Sequence, residues 1–318
     1  MRPWLLWLFC ALASIQSANA DTKSLTAIQW LQTMESALKS SAFQGTLIYA
    51  GANQIDTLQI FHASINGIEY EHIVSLDASA QEIIRDDSKT FCFNQQQRSG
   101  RVSIARTRKH WLGLTSALKK ANRFYTLQLE KQQDVIYRPA QVVNIIPRDQ
   151  FRYQRKLWID LATSIPVKTQ IINARGQVIE QLMFAALTTN SSISRSRFQL
   201  PDDSKHYQWI SQKSEYIPAS RQRWHVVDKP AGFEIMHYLQ QHHAHSERKI
   251  HIILVDGIST VSVYIDLPST TINPSDSYYS IGAINMLTLI NHGHRVTVVG
   301  EVPQQTVRLI ADSVHMVE

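Results

Sequence analysis

The stretch Val167–Lys168–Thr169–Gln170–Ile171–Ile172–Asn173–Ala174–Arg175–Gly176–Gln177–Val178–Ile179–Glu180–Gln181–Leu182–Met183–Phe184 decides the fold class. Two apolar runs, 167–172 and 178–184, flank Asn173–Ala174–Arg175–Gly176, where Gly176 supplies the left-handed position that closes a hairpin. Strands of the same kind precede it at 141–146 and 151–160. Further back, Phe43, Leu47 and Tyr49 alternate with Gln44, Thr46 and Ile48, and Leu58–Gln59–Ile60–Phe61 follows a turn at 51–53. Residues 69–74 are then entered through Asn66–Gly67, a strong hairpin signal, and two more short strands end at Asn94. Ahead of them all, Leu25, Ile28, Leu31, Met34 and Leu38 recur at three- and four-residue spacing, with Thr22 or Ser24 available as N-cap, so one amphipathic helix is expected. A sheet of this size must curl or cover one face. The expected class is α+β, with an antiparallel half-barrel wrapped around helices.

Residues 95–130 break the strand rhythm. They carry Arg98, Arg101, Arg106, Arg108 and Lys109, followed by Trp111, Leu112, Leu114, Leu118 and Phe124 at loosely helical spacing. From 188 to 221 the chain is rich in Ser, Asn, Asp and Lys, contains Pro201 and Pro218, and reads as a linker. A smaller unit follows. It opens near Trp224, has strands at 249–255 and 260–265 joined through Asp256–Gly257, and ends on a strand, a Gly300–Glu301–Val302–Pro303 turn and a short helix packing Val307, Ile310, Ala311 and Val314. The organisation expected is a signal peptide at 1–20, a first domain at 21–190, a linker at 191–220 and a second domain at 221–318.

The leader has one charge, Arg2, an apolar run from Trp4 to Ala13 and a small-residue cleavage pattern at Ala18–Asn19–Ala20. No later run approaches the roughly 18–20 apolar residues needed to cross a bilayer. An exported, soluble periplasmic protein is expected. Cleavage removes Cys10 and leaves Cys92 without a partner, so the fold must stand on its core, and 44% apolar content permits that. The formal charge of +6 becomes +5 when Arg2 leaves (6 − 1). The compartment argues against nucleic acid. It leaves an anionic glycolipid or an acidic protein segment as the partner of the basic cluster.

No catalytic pattern is present: no His-Glu-x-x-His, no Gly-x-Ser-x-Gly, no phosphate-cradling loop and no Cys-x-x-Cys. His242–His243–Ala244–His245, with Glu247 and His251 near, has metal-ligand chemistry but lies in a polar stretch, and loop residues are the simpler reading. No metal site and no cofactor are expected. Two sets of candidate ligand-binding residues stand out. Tyr49, Ile60, Tyr70, Phe93, Tyr153 and Leu157 could border an apolar cavity left between a curled sheet and its helices. Arg98, Arg101, Arg106, Arg108 and Lys109 beside Trp111, Leu112 and Leu114 suit an anionic amphiphile, its phosphates meeting guanidinium groups and its chains the apolar side.

Several blocks, in order, carry a resemblance. Phe43–Gln44–Gly45–Thr46–Leu47–Ile48–Tyr49, Val74–Ser75–Leu76–Asp77 with Glu82–Ile83–Ile84–Arg85–Asp86, Phe151 through Asp160 with Ile165–Pro166–Val167–Lys168, Pro230–Ala231–Gly232–Phe233, Asp256–Gly257–Ile258–Ser259–Thr260 and Gly282–Ala283–Ile284–Asn285 lead to the terminal segment 294–314. Together they resemble the MucB/RseB family. The resemblance implies a LolA-like first domain and a smaller α/β second domain. It implies a periplasmic negative regulator of sigma-E-type factors in the envelope stress response. Such a protein binds the periplasmic segment of a single-span RseA/MucA-type anti-sigma factor, shields it from site-1 proteolysis and is displaced by lipopolysaccharide or related lipids. It implies no catalytic residues. A monomer or small homo-oligomer is expected, and the alternative reading is a periplasmic lipid or lipoprotein carrier.

Overall fold

The computed structural model describes residues 25–51, 53–77, 80–103, 123–190, 192–242, 248–266 and 276–316. Arg106, Arg108, Lys109, Trp111, Leu112 and Leu114, the leader, and His243 and His245 lie outside the described residues. Helix α1 (Ala27–Ser40) starts later than the periodicity suggested. Its N-cap is Thr26, because Gln29 three residues on completes a reciprocal capping box: Thr26 N–H donates to Gln29 Oε1 at 2.8 Å and Gln29 N–H to Thr26 Oγ1 at 3.4 Å. Thr26→Ala is expected to lower stability by about 1 kcal/mol, read as a shift of the urea midpoint at unchanged slope. No helix among the described residues is long and apolar enough to cross a membrane.

The first sheet holds β1 (Phe43–Gly51), β2 (Gln54–Ile65), β3 (Ile68–Ser75), β4 (Gln81–Arg85), β5 (Thr90–Asn94), β6 (Ser99–Ser103), β7 (Tyr125–Leu129), β8 (Gln133–Val135), β9 (Arg138–Pro147), β10 (Gln154–Asp160), β11 (Pro166–Ile172), β12 (Val178–Thr189) and the start of β13 (Gln208–Tyr216). β1 pairs with both β2 and β12 and so joins two meanders, β2 to β6 on one side and β12 back to β7 on the other. Among the described residues every pairing in this sheet is antiparallel except β6 with β13, which is parallel. Near a register shift between Thr46 and Leu47, Gly45 lets two backbones close up, since a Cβ there would lie 2.3 Å from the Ala186 carbonyl oxygen. α1 lays Ala27, Leu31 and Met34 on Tyr125, Val143, Ile145, Leu157 and Ile159. Its Leu38 also reaches the neighbouring cluster of Phe43, Leu47, Ile165 and Phe184.

The second sheet runs β13, β15 (Glu234–His242), β16 (Arg248–Val255), β17 (Thr260–Asp266), β20 (His294–Gly300), β19 (Ile284–Asn291), β18 (Ser277–Ile281). β14 (Trp224–Val226) pairs apart from it with β21 (Val314–Met316). The expected α/β pattern is corrected here. Among the described residues all pairings in this unit are antiparallel, and the α-helix α2 (Gln304–Asp312) covers a face with Val307, Ile310 and Ala311. Short turns such as Asn291–His292–Gly293–His294 return the chain beside itself, whereas parallel neighbours need a long crossover. Pro303 is the N-cap of α2, one place ahead of the first turn.

The Ser-rich stretch read as a linker is packed. Phe198 is buried against Phe61 and Ala63, and Tyr207 against Ile84 and Phe93. β13 then gives residues Gln208–Gln212 to the first sheet and Lys213–Tyr216 to the second.

Candidate functional site

Strand alternation separates the six residues expected around one cavity. Leu157 and Ile60 face the helix side, Leu157 under α1 and Ile60 beside Phe43, Leu47 and Phe184. Tyr70 and Phe93 belong to the opposite face and are covered by the packed stretch before β13. The Tyr70 ring lies 5.5 Å from Phe198, and Phe93 lies 6.3 Å from Tyr207 and 6.2 Å from Trp209. Tyr49 and Tyr153 stand at the junction of the two sheets. The structure therefore distributes the six over five settings rather than around one space.

Arg101 of the basic set does face a groove. On the helix-bearing face, at the end made by β4, β5, β6 and β13, an open groove of about 410 Å³ is lined by Gln81, Cys92, Asn94, Ser99, Arg101, Gln208 and Ile210, with Phe93 and Gly100 bordering it. Its volume falls in the range of small-ligand pockets, about 300–1,000 Å³. Register explains the grouping, because Ile83, Cys92, Arg101 and Ile210 sit opposite one another across four strands. Arg101 brings a guanidinium beside Cys92, Phe93 and Ile210, among the polar residues Gln81, Asn94, Ser99 and Gln208. Arg98 is in the β5–β6 turn, away from the groove lining, and pairs loosely with Asp203 at 3.8 Å.

The largest concentration of buried charge is at the sheet junction. Arg152 is completely buried. Its Nε donates to Asp256 Oδ2 at 2.6 Å, its Nη2 to the Ala231 carbonyl at 2.6 Å, and its Nη1 to Asp149. The guanidinium carbon sits 5.0, 5.6 and 4.8 Å from the ring centres of Phe124, Tyr125 and Phe233. Asp256 accepts also from the Tyr125 hydroxyl at 2.5 Å and from the N–H groups of Ile258 and Ser259 at 2.9 and 2.7 Å. Burial, and then the Asp256 carboxylate, hold the Tyr125 hydroxyl well above the usual phenol range, so it remains a donor.

Around this centre Arg155 donates to Glu301 at 2.5 Å, Asn285 Nδ2 to the Tyr153 hydroxyl at 2.9 Å, and Thr306 Oγ1 to the Phe151 carbonyl at 2.8 Å. Glu180 accepts from Ala283 N–H at 3.3 Å. Burial and then neighbouring Glu180 push the Tyr49 hydroxyl up to about 12. Thus 149–155 of one unit dock the turns of the other through polar contacts nearly all of which are satisfied. Arg152 and Asp256 are 104 residues apart, and no local signal links them. Asp256–Gly257 reads in the sequence only as a turn.

None of this is catalytic apparatus. Among the described residues, the Ser–His side-chain contact from His251 Nε2 to Ser262 Oγ, at 2.9 Å, lies in strands β16 and β17. His251 Nδ1 meets Gln241 Nε2 at 3.0 Å, and Tyr264 stacks on the ring at 4.2 Å. Burial, and then the nearby His237, push the imidazole down to about 4, which makes it a poor base at neutral pH. The depressed value has a stability consequence. Unfolding restores an ordinary histidine, so this group's contribution is complete above roughly pH 6.5 and is lost as pH falls towards about 4. Urea titrations across that window should show uptake of about one proton on unfolding, and His251→Gln should remove it. No group of three or more His, Cys, Asp or Glu among the described residues is arranged to hold a metal ion.

Comparison with known proteins completes the description. The profile of the MucB/RseB N-terminal domain matches residues 26–201, and that of the MucB/RseB C-terminal domain matches residues 218–315. Sigma factor AlgU regulatory protein MucB of Pseudomonas aeruginosa is 27% identical over 314 residues, spanning 97% of this chain and 96% of that protein. Sigma-E factor regulatory protein RseB of Haemophilus influenzae is 21% identical over 310 residues, 96% of each. The solved complex structure of Pseudomonas aeruginosa MucA/MucB has a chain that matches with a TM-score of 0.72 at 25% identity, covering 92% of this chain and 99% of that one. Both domains match in order, over nearly the whole length, to regulatory proteins rather than enzymes: the chain belongs to the MucB/RseB family.

Proposed function

We propose that this protein acts in the periplasm as a negative regulator of an extracytoplasmic stress sigma factor. It binds the periplasmic part of a single-span MucA/RseA-type anti-sigma factor, keeps site-1 protease from it, and releases it when lipopolysaccharide or a related anionic lipid binds. The observation that carries this reading is the match to both family domains in order, with a fold shared with a MucB chain solved together with MucA.

β18 supports it physically as the landing edge. Among the described strands it pairs only with β19, all five of its residues are exposed, and Ser277–Tyr278–Tyr279–Ser280–Ile281 carries no charge. Such an edge is a template for an extended segment of another chain. The groove beside Arg101 supports the lipid arm, offering a cation above Cys92 and Ile210.

The test is a pull-down and a protease-protection assay with the periplasmic segment of the anti-sigma factor. Binding and protection are expected. Ser280→Pro, which removes one outward-facing edge N–H, should weaken capture about tenfold or more. Arg101→Glu should leave capture intact and raise the lipopolysaccharide concentration needed for release. No capture by the unaltered protein, together with delivery of a lipoprotein in a transfer assay, would favour the carrier reading instead.

A further inference from the structure

We propose that Glu180 and Tyr49 of the first sheet position the β18–β19 hairpin of the second, and that a proton taken up by Glu180 tightens their hold, so that mild acid strengthens the edge on which a partner lands. The effect on a partner rests on β18 being the landing edge; the hold on the hairpin does not. The hairpin turns through Gly282 and Ala283, since Ile281 pairs with Ile284. Gly282 has a left-handed φ of +55° and lies so near the first sheet that a Cβ on it would come 3.1 Å from Glu180 Oε2 and 3.2 Å from the Tyr49 hydroxyl. Ala283 is fully buried, and its N–H donates to Glu180 Oε2 at 3.3 Å. A buried backbone N–H has to be paired, and here the first unit supplies the acceptor. The Tyr49 hydroxyl donates to the same carboxylate.

The charge around Glu180 does not balance. Ile171 of β11 stands between it and Arg155, opposite Glu180 on one side and opposite Arg155 on the other. Arg155 is committed elsewhere, to Glu301 of the β20–α2 turn at 2.5 Å. Glu301 in turn faces Glu180 as a like charge. Gly51, opposite Glu180 in β1, and the Gly282–Ala283 turn bring no ionisable side chain, and Asp56 of β2 acts on Tyr49. Burial, and then Glu301, hold the Glu180 carboxyl above the usual glutamate range; the Ala283 N–H, Arg155 and Tyr49 offset only part of this. Lifting the hairpin away exposes Glu180 and relieves the effect. The docked hairpin therefore binds the proton more readily than the undocked one. Docking is weakest above the raised value and strengthens as pH falls through it towards the ordinary 4.5. A protonated carboxyl still offers an oxygen to the Ala283 N–H and no longer repels Glu301. A hairpin so held presents β18 ready for pairing, which lowers the ordering cost of capture.

The test follows the mature full-length protein by NMR from about pH 5 to 7.5, reading the glutamate carboxyl carbons and the Ala283 amide. The Glu180 carboxyl and the Ala283 N–H are expected to shift on one titration curve, its midpoint above that of the exposed glutamates. Glu180→Gln, which is uncharged and keeps an acceptor for Ala283, should abolish the Ala283 shift. Glu301→Gln, which leaves Arg155 free to act on Glu180, should move the midpoint down. In a separate measurement the anti-sigma periplasmic segment should bind the parent about threefold more tightly at the acid end, and Glu180→Gln should bind at both ends as the parent does in acid. An Ala283 amide that does not titrate, or that titrates equally in Glu180→Gln, overturns the hold on the hairpin whatever the capture data show. A titrating amide with capture independent of pH overturns its coupling to the edge. Absence of capture at every pH beside a titrating amide counts against β18 as the landing edge and leaves the proton-sensitive hold standing.

Discussion

Replacing Arg152 with alanine is expected to destabilise the protein by about 3–5 kcal/mol, the range for breaking a buried ion pair from one side. The variant strands the Asp256 carboxylate where no water reaches it, with only the Tyr125 hydroxyl and two backbone N–H groups left as donors. It also removes the cation packed among Phe124, Tyr125 and Phe233. Arg152→Lys should rescue little, because a point charge cannot reach Asp256, Asp149 and the Ala231 carbonyl from one planar fork. Asp256→Ala should cost a similar amount, while Arg152→Leu with Asp256→Leu should lose far less than the sum of the single changes. Urea unfolding checks this series. If Arg152→Ala unfolds at the parent's midpoint, the pair does not hold the junction. In partner capture, Arg152→Ala should fail at temperatures where the parent still binds.

Leu31→Ala should cost about 2–5 kcal/mol, since Leu31 is fully buried and its removal leaves a void between α1 and the first sheet. Met34 shares that setting and should behave alike, whereas Ile28, only partly buried, should cost less. Thermal and urea midpoints read the difference. A loss below about 1 kcal/mol for Leu31→Ala would mean that the sheet closes on the gap, and α1 would then be a passenger on the first sheet.

Leu31 also shows why much of the architecture could be read from the chain alone. α1 and the hairpins at Asn66–Gly67 and Asn173–Gly176 are local: period, cap and turn chemistry lie within a dozen residues of each other. The second unit's antiparallel order is legible in its short turns, whereas the α/β expectation comes from the family resemblance and not from these elements. The cavity set failed for a different reason. Ile60 and Tyr70 are both apolar strand residues ten positions apart, and register, which composition does not carry, puts them on opposite faces. Arg101, by contrast, reads as part of a charge run; Cys92 faces it across the adjacent β5–β6 hairpin, but Ile210 comes from β13, far along the chain. Arg152 gave no sign of its role. Its acceptors are a turn carboxylate and a carbonyl of the other unit, and nothing in Phe151–Arg152–Tyr153 distinguishes a docking arginine from a surface one.

The strand shared between the sheets has a consequence for how the halves can move. β13 meets β6 through Gln208–Gln212 and β15 through Lys213–Tyr216, with no break between. Ile210 and Tyr216 are six residues apart on one extended strand, so their side chains keep the same sense. A one-residue slip against β6 would turn Ile210 out of the groove and, by the same displacement, flip Tyr216 away from His237 in the other sheet. The two sheets are therefore phase-locked: hinging about β13 is open to them, and sliding independently is not.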